Sequence, residues 1–102
     1  MKVYLDDIRD TPDGWVRVYT VPELQKLVQD SNITVISLDH DLGDGQPTGY
    51  DFLVWLEREV GEGRIPNPPR LEIHSANPVG RQNMARAIES IKLLTNRLSV
   101  LE

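Results

Sequence analysis

The sequence predicts an α/β fold with a mostly parallel sheet, on three observations. Strand-like and helix-like hydrophobic patterns alternate along the chain. One strand pattern, Ile33 to Leu38, is almost continuously apolar and β-branched, as in a central parallel strand covered on both faces. At 102 residues, 39% hydrophobic and 26% charged, the chain has the size and make-up of one ordinary globular domain, assigned to residues 1–102.

Lys2-Val3-Tyr4-Leu5 reads as a short buried strand stopped by Asp6-Asp7. Trp15 to Tyr19 is aromatic and β-branched with period two, a half-buried strand. Thr20-Val21-Pro22-Glu23 has capping-box spacing with proline in the first turn, and Val21, Leu24, Leu27 and Val28 carry a helix to about Asp30. The strand at 33–38 is broken by Asp39-His40-Asp41. Gly43 to Pro47 is a loop, and Thr48 opens a helix running through Phe52, Leu53, Leu56 and Val60. Gly61 to Pro69, with its glycines and prolines, excludes helix and central strand. Arg70 to Ser75 is a further core strand. Asn77-Pro78 then caps a helix whose buried face is Met84, Ile88, Ile91 and Leu94 or Thr95. Arg97 to Glu102 reads as a frayed end or a final short strand. Only about ten residues separate the first strand from Trp15, too few for a crossover helix, so a loop or a single turn must make that connection.

The net charge of −5 argues against non-specific binding to duplex DNA. The absence of cysteine excludes disulfides, Cys-ligated zinc and thiol catalysis. The longest apolar run, Phe52 to Leu56, is far short of the roughly 20 residues of a membrane span. The N-terminus lacks signal-peptide character, so a cytoplasmic location is expected. Acidity is concentrated: without Asp6, Asp7, Asp39, Asp41 and Asp44 the remaining charges balance.

Ligands of open parallel sheets bind beyond the carboxyl ends of the strands. Three core strands here end in ionisable residues, Asp6-Asp7, Asp39-His40-Asp41 and His74-Ser75, which should meet on one rim within about 10 Å. Crowded carboxylates repel one another unless a cation sits among them. An all-oxygen set suits Mg²⁺ or Mn²⁺, while the two histidines also admit Zn²⁺ or Fe²⁺. Period two turns Asp39 and Asp41 one way and His40 the other. The helix after Asn77-Pro78 aims its N-terminus at the rim as an anion site, with Ser75, Asn77 and Arg81 as donors and Arg9 in reach. Trp15, Tyr19 and Tyr50 read as packing residues.

With these residues in hand, the chain resembles the receiver domain of two-component signalling. There the acidic pair and the central aspartate hold Mg²⁺, the central aspartate accepts a phosphoryl group, and Ser/Thr ends the fourth strand. Asp6, Asp7, Asp39 and Ser75 occupy the matching positions. The chain departs from that pattern in lacking a fifth strand ending in lysine and the first crossover helix, and in adding His40, Asp41 and His74. From Lys2 to about Ile91 it resembles the cyclic-phosphate-processing receiver-like branch, through Val3-Tyr4-Leu5-Asp6-Asp7-Ile8-Arg9, Ser37-Leu38-Asp39-His40-Asp41-Leu42-Gly43, Thr48-Gly49-Tyr50-Asp51 and His74-Ser75-Ala76-Asn77-Pro78-Val79-Gly80-Arg81. The resemblance implies a receiver-like, flavodoxin-like three-layer sandwich and a cyclic-phosphate substrate.

The expected function is that of a metal-dependent phosphoesterase opening a cyclic phosphate, a 2′,3′-cyclic RNA end or nucleotide. Asp6, Asp7, Asp39 and Asp41 would hold the metal. His74 would act as general acid or base, with His40 its partner or a ligand, and Ser75, Asn77, Arg81 and Arg9 would bind the phosphate. Asp39 would alternatively attack directly. Two other readings compete: a signalling receiver phosphorylated on Asp39, and a non-catalytic module binding a nucleotide or protein. The first is separated from them by metal-dependent turnover.

Overall fold

The computed structural model describes residues 1–101 and the side chains as far as Val100. Four four-residue strands, β1 (Lys2–Leu5), β2 (Trp15–Val18), β3 (Val35–Leu38) and β4 (Arg70–Ile73), form one sheet in the order β2-β1-β3-β4. Every pairing is parallel, with Lys2 opposite both Trp15 and Val35, and Val35 opposite Arg70. Three helices follow the last three strands: α1 (Val21–Asp30), α2 (Gly49–Gly61) and α3 (Pro78–Leu101).

The caps are those the sequence encodes. Thr20 accepts from the Glu23 amide, and Thr48 and Asp51 exchange both bonds of a capping box. Beyond α2, the Gly61–Pro69 loop is drawn back onto the helix. The Arg64 guanidinium pairs with Glu59 and Glu62, and the Arg64 and Ile65 amides bond the Glu59 carbonyl.

Alternate strand residues point to opposite faces. Val3, Leu5, Val18, Ile36 and Leu38 share one face, and all three helices bury their apolar sides in a single cluster with them, led by Leu24, Phe52, Leu56, Met84 and Ile91. The other face carries Tyr4, Trp15, Arg17, Ser37 and Glu72. The receiver-like α/β fold is therefore present, but the second helical layer of the expected sandwich is missing among the described residues. The cause is the connection from β1 to β2. Residues 6–14 contain no helix and cross directly into a parallel neighbour, as the short spacing required.

Three boundaries differ from expectation. β3 starts at Val35, because Thr34 instead closes the sheet's lower edge by donating to the Met1 carbonyl and accepting from the Arg70 amide. β4 stops at Ile73, leaving His74 and Ser75 just past the strand. The terminal segment is helical and not a strand: α3 runs through to Leu101, Leu94 and Leu98 continuing its inner side, while Glu102 lies outside the described residues. No described helix is long and apolar enough to cross a membrane.

Candidate functional site

The chain leaves β1 for β2 on one side and returns across it to β3 on the other, so strand order reverses between β1 and β3. The ladder extends one residue past these ends. The Asp6 amide bonds the Val18 carbonyl (3.1 Å), that of Asp39 the Leu5 carbonyl (3.1 Å), and that of His74 the Leu38 carbonyl (3.0 Å). Asp6, Asp39 and His74 are thus fixed by backbone bonds at three adjacent strand ends. By period two they continue the helix-free face that carries Tyr4, Ser37 and Glu72. Each offers a ligand atom, and those atoms all lie within 4.8 Å of one another.

Each member is held by its own contacts. The Asp6 side chain is 1% exposed. One of its oxygens accepts from the Ile8 and Arg9 amides, both at 2.8 Å, and the other lies 3.0 Å from His74 Nε2. Burial pushes the Asp6 carboxyl up, but these bonds outweigh it and hold it below the ordinary aspartate range. Burial raises Asp39, aided by the nearby Asp6 charge and opposed by the His40 amide, which donates to Asp39 Oδ1 at 2.8 Å. His74 stacks on the Tyr4 ring, 4.0 Å between centroids and 6° from parallel. Its Nδ1 is 2.7 Å from Ser37 Oγ, and its carbonyl accepts from Arg9 Nη1 at 2.6 Å. Burial lowers the His74 pKa against the pull of Asp6, favouring the neutral ring.

At the two carboxylates of this trio opens a cavity of about 330 Å³, lined by Asp6, Asp7, Arg9, Asp39, Asp41, Ser75 and Asn77 among others. All four carboxylates expected to hold metal face it, but only Asp6 and Asp39 belong to the close cluster. Asp41 is mostly exposed, accepts from Asn77 Nδ2 at 3.2 Å and pairs with His40 Nδ1 at 3.0 Å; these bonds lower its pKa. His40 points away, as the strand period requires, with its ring against the first turn of α3. A Cβ at Gly80 would lie 2.5 Å from the His40 ring. A Cβ at Gly49 would lie 2.1 Å from the Asp39 carbonyl oxygen, so glycine lets the start of α2 close on the rim, where its amide bonds the His40 carbonyl at 3.0 Å.

The anion-binding set is only partly assembled. Ser75 Oγ accepts from the Asn77 amide and Asn77 Oδ1 from the Gly80 amide, so Asn77 caps α3 from within the chain. Arg81 donates to the Ser75 carbonyl at 3.1 Å and lines a separate hollow beside Ile73 and Pro78. Arg9 is the basic side chain lining the cavity, its Nε 4.0 Å from Asp6 Oδ2. Two contributors escaped the sequence reading, Tyr4 and Ser37. Their signal was their place two residues before Asp6 and Asp39 on the same strand face.

Two carboxylates and an imidazole nitrogen make a mixed donor set. It fits Mn²⁺, Zn²⁺ or Fe²⁺ better than Mg²⁺, which favours oxygen alone. Residues 1–90 match the family model described as a cyclic-phosphate processing receiver domain. No curated protein and no solved structure matches the chain.

Proposed function

The chain belongs to the cyclic-phosphate processing receiver domain family, and from that membership we propose that it is a metal-dependent hydrolase of cyclic phosphates such as a 2′,3′-cyclic nucleotide or RNA end. The observation that carries the reading is the convergence of Asp6, Asp39 and His74 within 4.8 Å at the reversal of strand order. A divalent cation bound there would polarise a phosphoryl oxygen and make water more acidic. Asp6, Asp39 and His74 would be its ligands, and Asp7 and Asp41 face the same cavity, where they would hold solvent. Arg9 and the Ser75–Asn77 turn face the phosphate. The convergence of a His74 nitrogen with the Asp6 and Asp39 oxygens favours its role as a ligand over the proton-transfer role expected from sequence.

His74→Asn tests this. Loss of a ligand should weaken Mn²⁺ or Zn²⁺ binding by at least about a hundredfold, given that losing even an outer partner costs about 10–100-fold. Turnover of a 2′,3′-cyclic nucleotide should fall in parallel. Lost turnover with intact metal affinity would return His74 to proton transfer. A wild-type protein that turns over no cyclic phosphate but takes an acid-labile phosphoryl group on Asp39 from a small phosphodonor would be a signalling receiver.

A further inference from the structure

Ser37 has no part in the chemistry above, yet its Oγ lies 2.7 Å from His74 Nδ1, closer than the 3.0 Å between His74 Nε2 and Asp6. It is 5% exposed, inside β3 and on the same strand face as Asp39. Tyr4 covers one face of the imidazole, and Asp6 and Ser37 hold its two nitrogens. The ring has no freedom to flip. Any change in what His74 offers must come from moving a proton between its nitrogens.

The two states of the site demand opposite tautomers. Without a cation, the Asp6 carboxylate already accepts from two backbone amides and acts toward Nε2 as an acceptor as well. The proton of the neutral ring then sits on Nε2, and Nδ1 presents a lone pair to which Ser37 donates. With a cation among the trio, Nε2 is the nitrogen that faces Asp6 and must give its lone pair. The ring proton then belongs on Nδ1, and Ser37 Oγ must accept it. A hydroxyl can exchange donating for accepting by rotating one hydrogen while its oxygen stays in place. A carbonyl, carboxylate or ammonium in its position would lock one tautomer.

We propose that Ser37 is a positioning residue whose hydroxyl reverses its hydrogen bond to His74 Nδ1, letting the imidazole change tautomer and ligate a divalent cation without movement of the surrounding side chains. The role rests on the metal reading of the site. The proton count is unchanged: one N–H is lost at Nε2 and one gained at Nδ1, with solvent in the open cavity as the carrier.

The test uses the full chain, ¹⁵N-labelled, with Zn²⁺ as a diamagnetic probe. Long-range ¹H–¹⁵N spectra of the metal-free wild type should show His74 protonated on Nε2, and addition of Zn²⁺ should move the proton to Nδ1. Ser37→Ala should keep the Nε2–H form when metal-free and bind Zn²⁺ about 10–100-fold more weakly by calorimetry, as for loss of an outer-shell partner. Ser37→Thr, which retains the hydroxyl, should recover most of that affinity. Melting temperatures of the metal-free variants separate a folding defect from a binding one. Ser37→Ala binding Zn²⁺ within about twofold of wild type, or a metal-free wild type already protonated on Nδ1, would overturn the role of Ser37 alone. A wild type that binds no Zn²⁺, Mn²⁺ or Mg²⁺ would overturn the metal reading and this inference with it.

Discussion

Replacing Asp39 by Asn should make the metal-free protein more stable. Asp6 and Asp39 offer oxygens within 4.8 Å of each other. At an effective dielectric constant of about 20, two unit charges at that separation repel by about 3.5 kcal/mol. The cavity is open and water reaches Asp39, so about 1–2 kcal/mol of this survives as destabilisation. The direction agrees with the raised pKa of Asp39, which burial and the Asp6 charge together produce. Asparagine keeps an oxygen for the His40 amide, so the turn after β3 loses no hydrogen bond. For a domain of this size the melting temperature should rise by roughly 5–10 °C. Metal should reverse the ranking. Mn²⁺ at a hundredfold excess over its dissociation constant should stabilise wild type by about 2.7 kcal/mol, and Asp39→Asn should lose that response. Thermal melts by circular dichroism, with and without Mn²⁺, read all four states. A variant that melts at or below wild type without metal, or that keeps the full Mn²⁺ response, would refute the reasoning.

Two further outcomes follow from the same rim. Gly49→Ala places a methyl group 2.1 Å from the Asp39 carbonyl oxygen, a backbone atom that cannot swing aside. It should lower stability by about 2–3 kcal/mol in urea melts with an unchanged slope, and a loss under about 0.5 kcal/mol would mean that α2 shifts freely. Acidification of the metal-free protein should destabilise it in two stages. His74 and Asp6 both have folded pKa values below their model values of 6.5 and 3.8, so the unfolded chain binds their protons first. Stability is therefore complete above about pH 6.5, falls as pH drops through the folded pKa of His74, and falls again below about pH 3.8 as Asp6 protonates. Protonation of Asp39, whose pKa is raised, acts in the opposite sense near the second stage. His74→Asn should abolish the first stage, as pH-dependent melts would show.

The alternation of elements, the three capped helices and the three ionisable strand ends could be read from residue order, because each depends on local pattern. Helix caps need neighbours three residues apart, and strand faces need only a period of two. What escaped depends on registers between strands distant in sequence. That His74 lies against Ser37 follows from Leu38 pairing with Ile73, a fact no local window contains. Period two correctly turned His40 from Asp39 and kept Asp41 on the cavity side. Beyond β3, however, the chain bends, and Asp41 is drawn to Asn77 and His40 and out of the close cluster. Arg81 lies one turn into α3, where spacing alone could not say whether it faces the cavity or the outer hollow. The extra length of α3 was hidden because Asn96, Arg97 and Ser99 dilute the apolar pattern, while Leu94 and Leu98 keep the inner side.

The strand order also governs when the site comes into existence during folding. β1 is central, yet its two neighbours are residues 15–18 and 35–38, and β4 waits for residues 70–73. On a ribosome, the first strand would emerge with both edges unpaired and acquire them one after the other. Closing these distant parallel pairings is intrinsically slow compared with forming helices. The three positions of the cluster, 6, 39 and 74, are spread over most of the chain, so a nascent chain shorter than about three-quarters of the sequence has the two carboxylates of the trio but not its imidazole. Metal capture at this rim, as proposed, would accordingly be a late event, a report that the sheet has closed rather than a nucleus around which it forms.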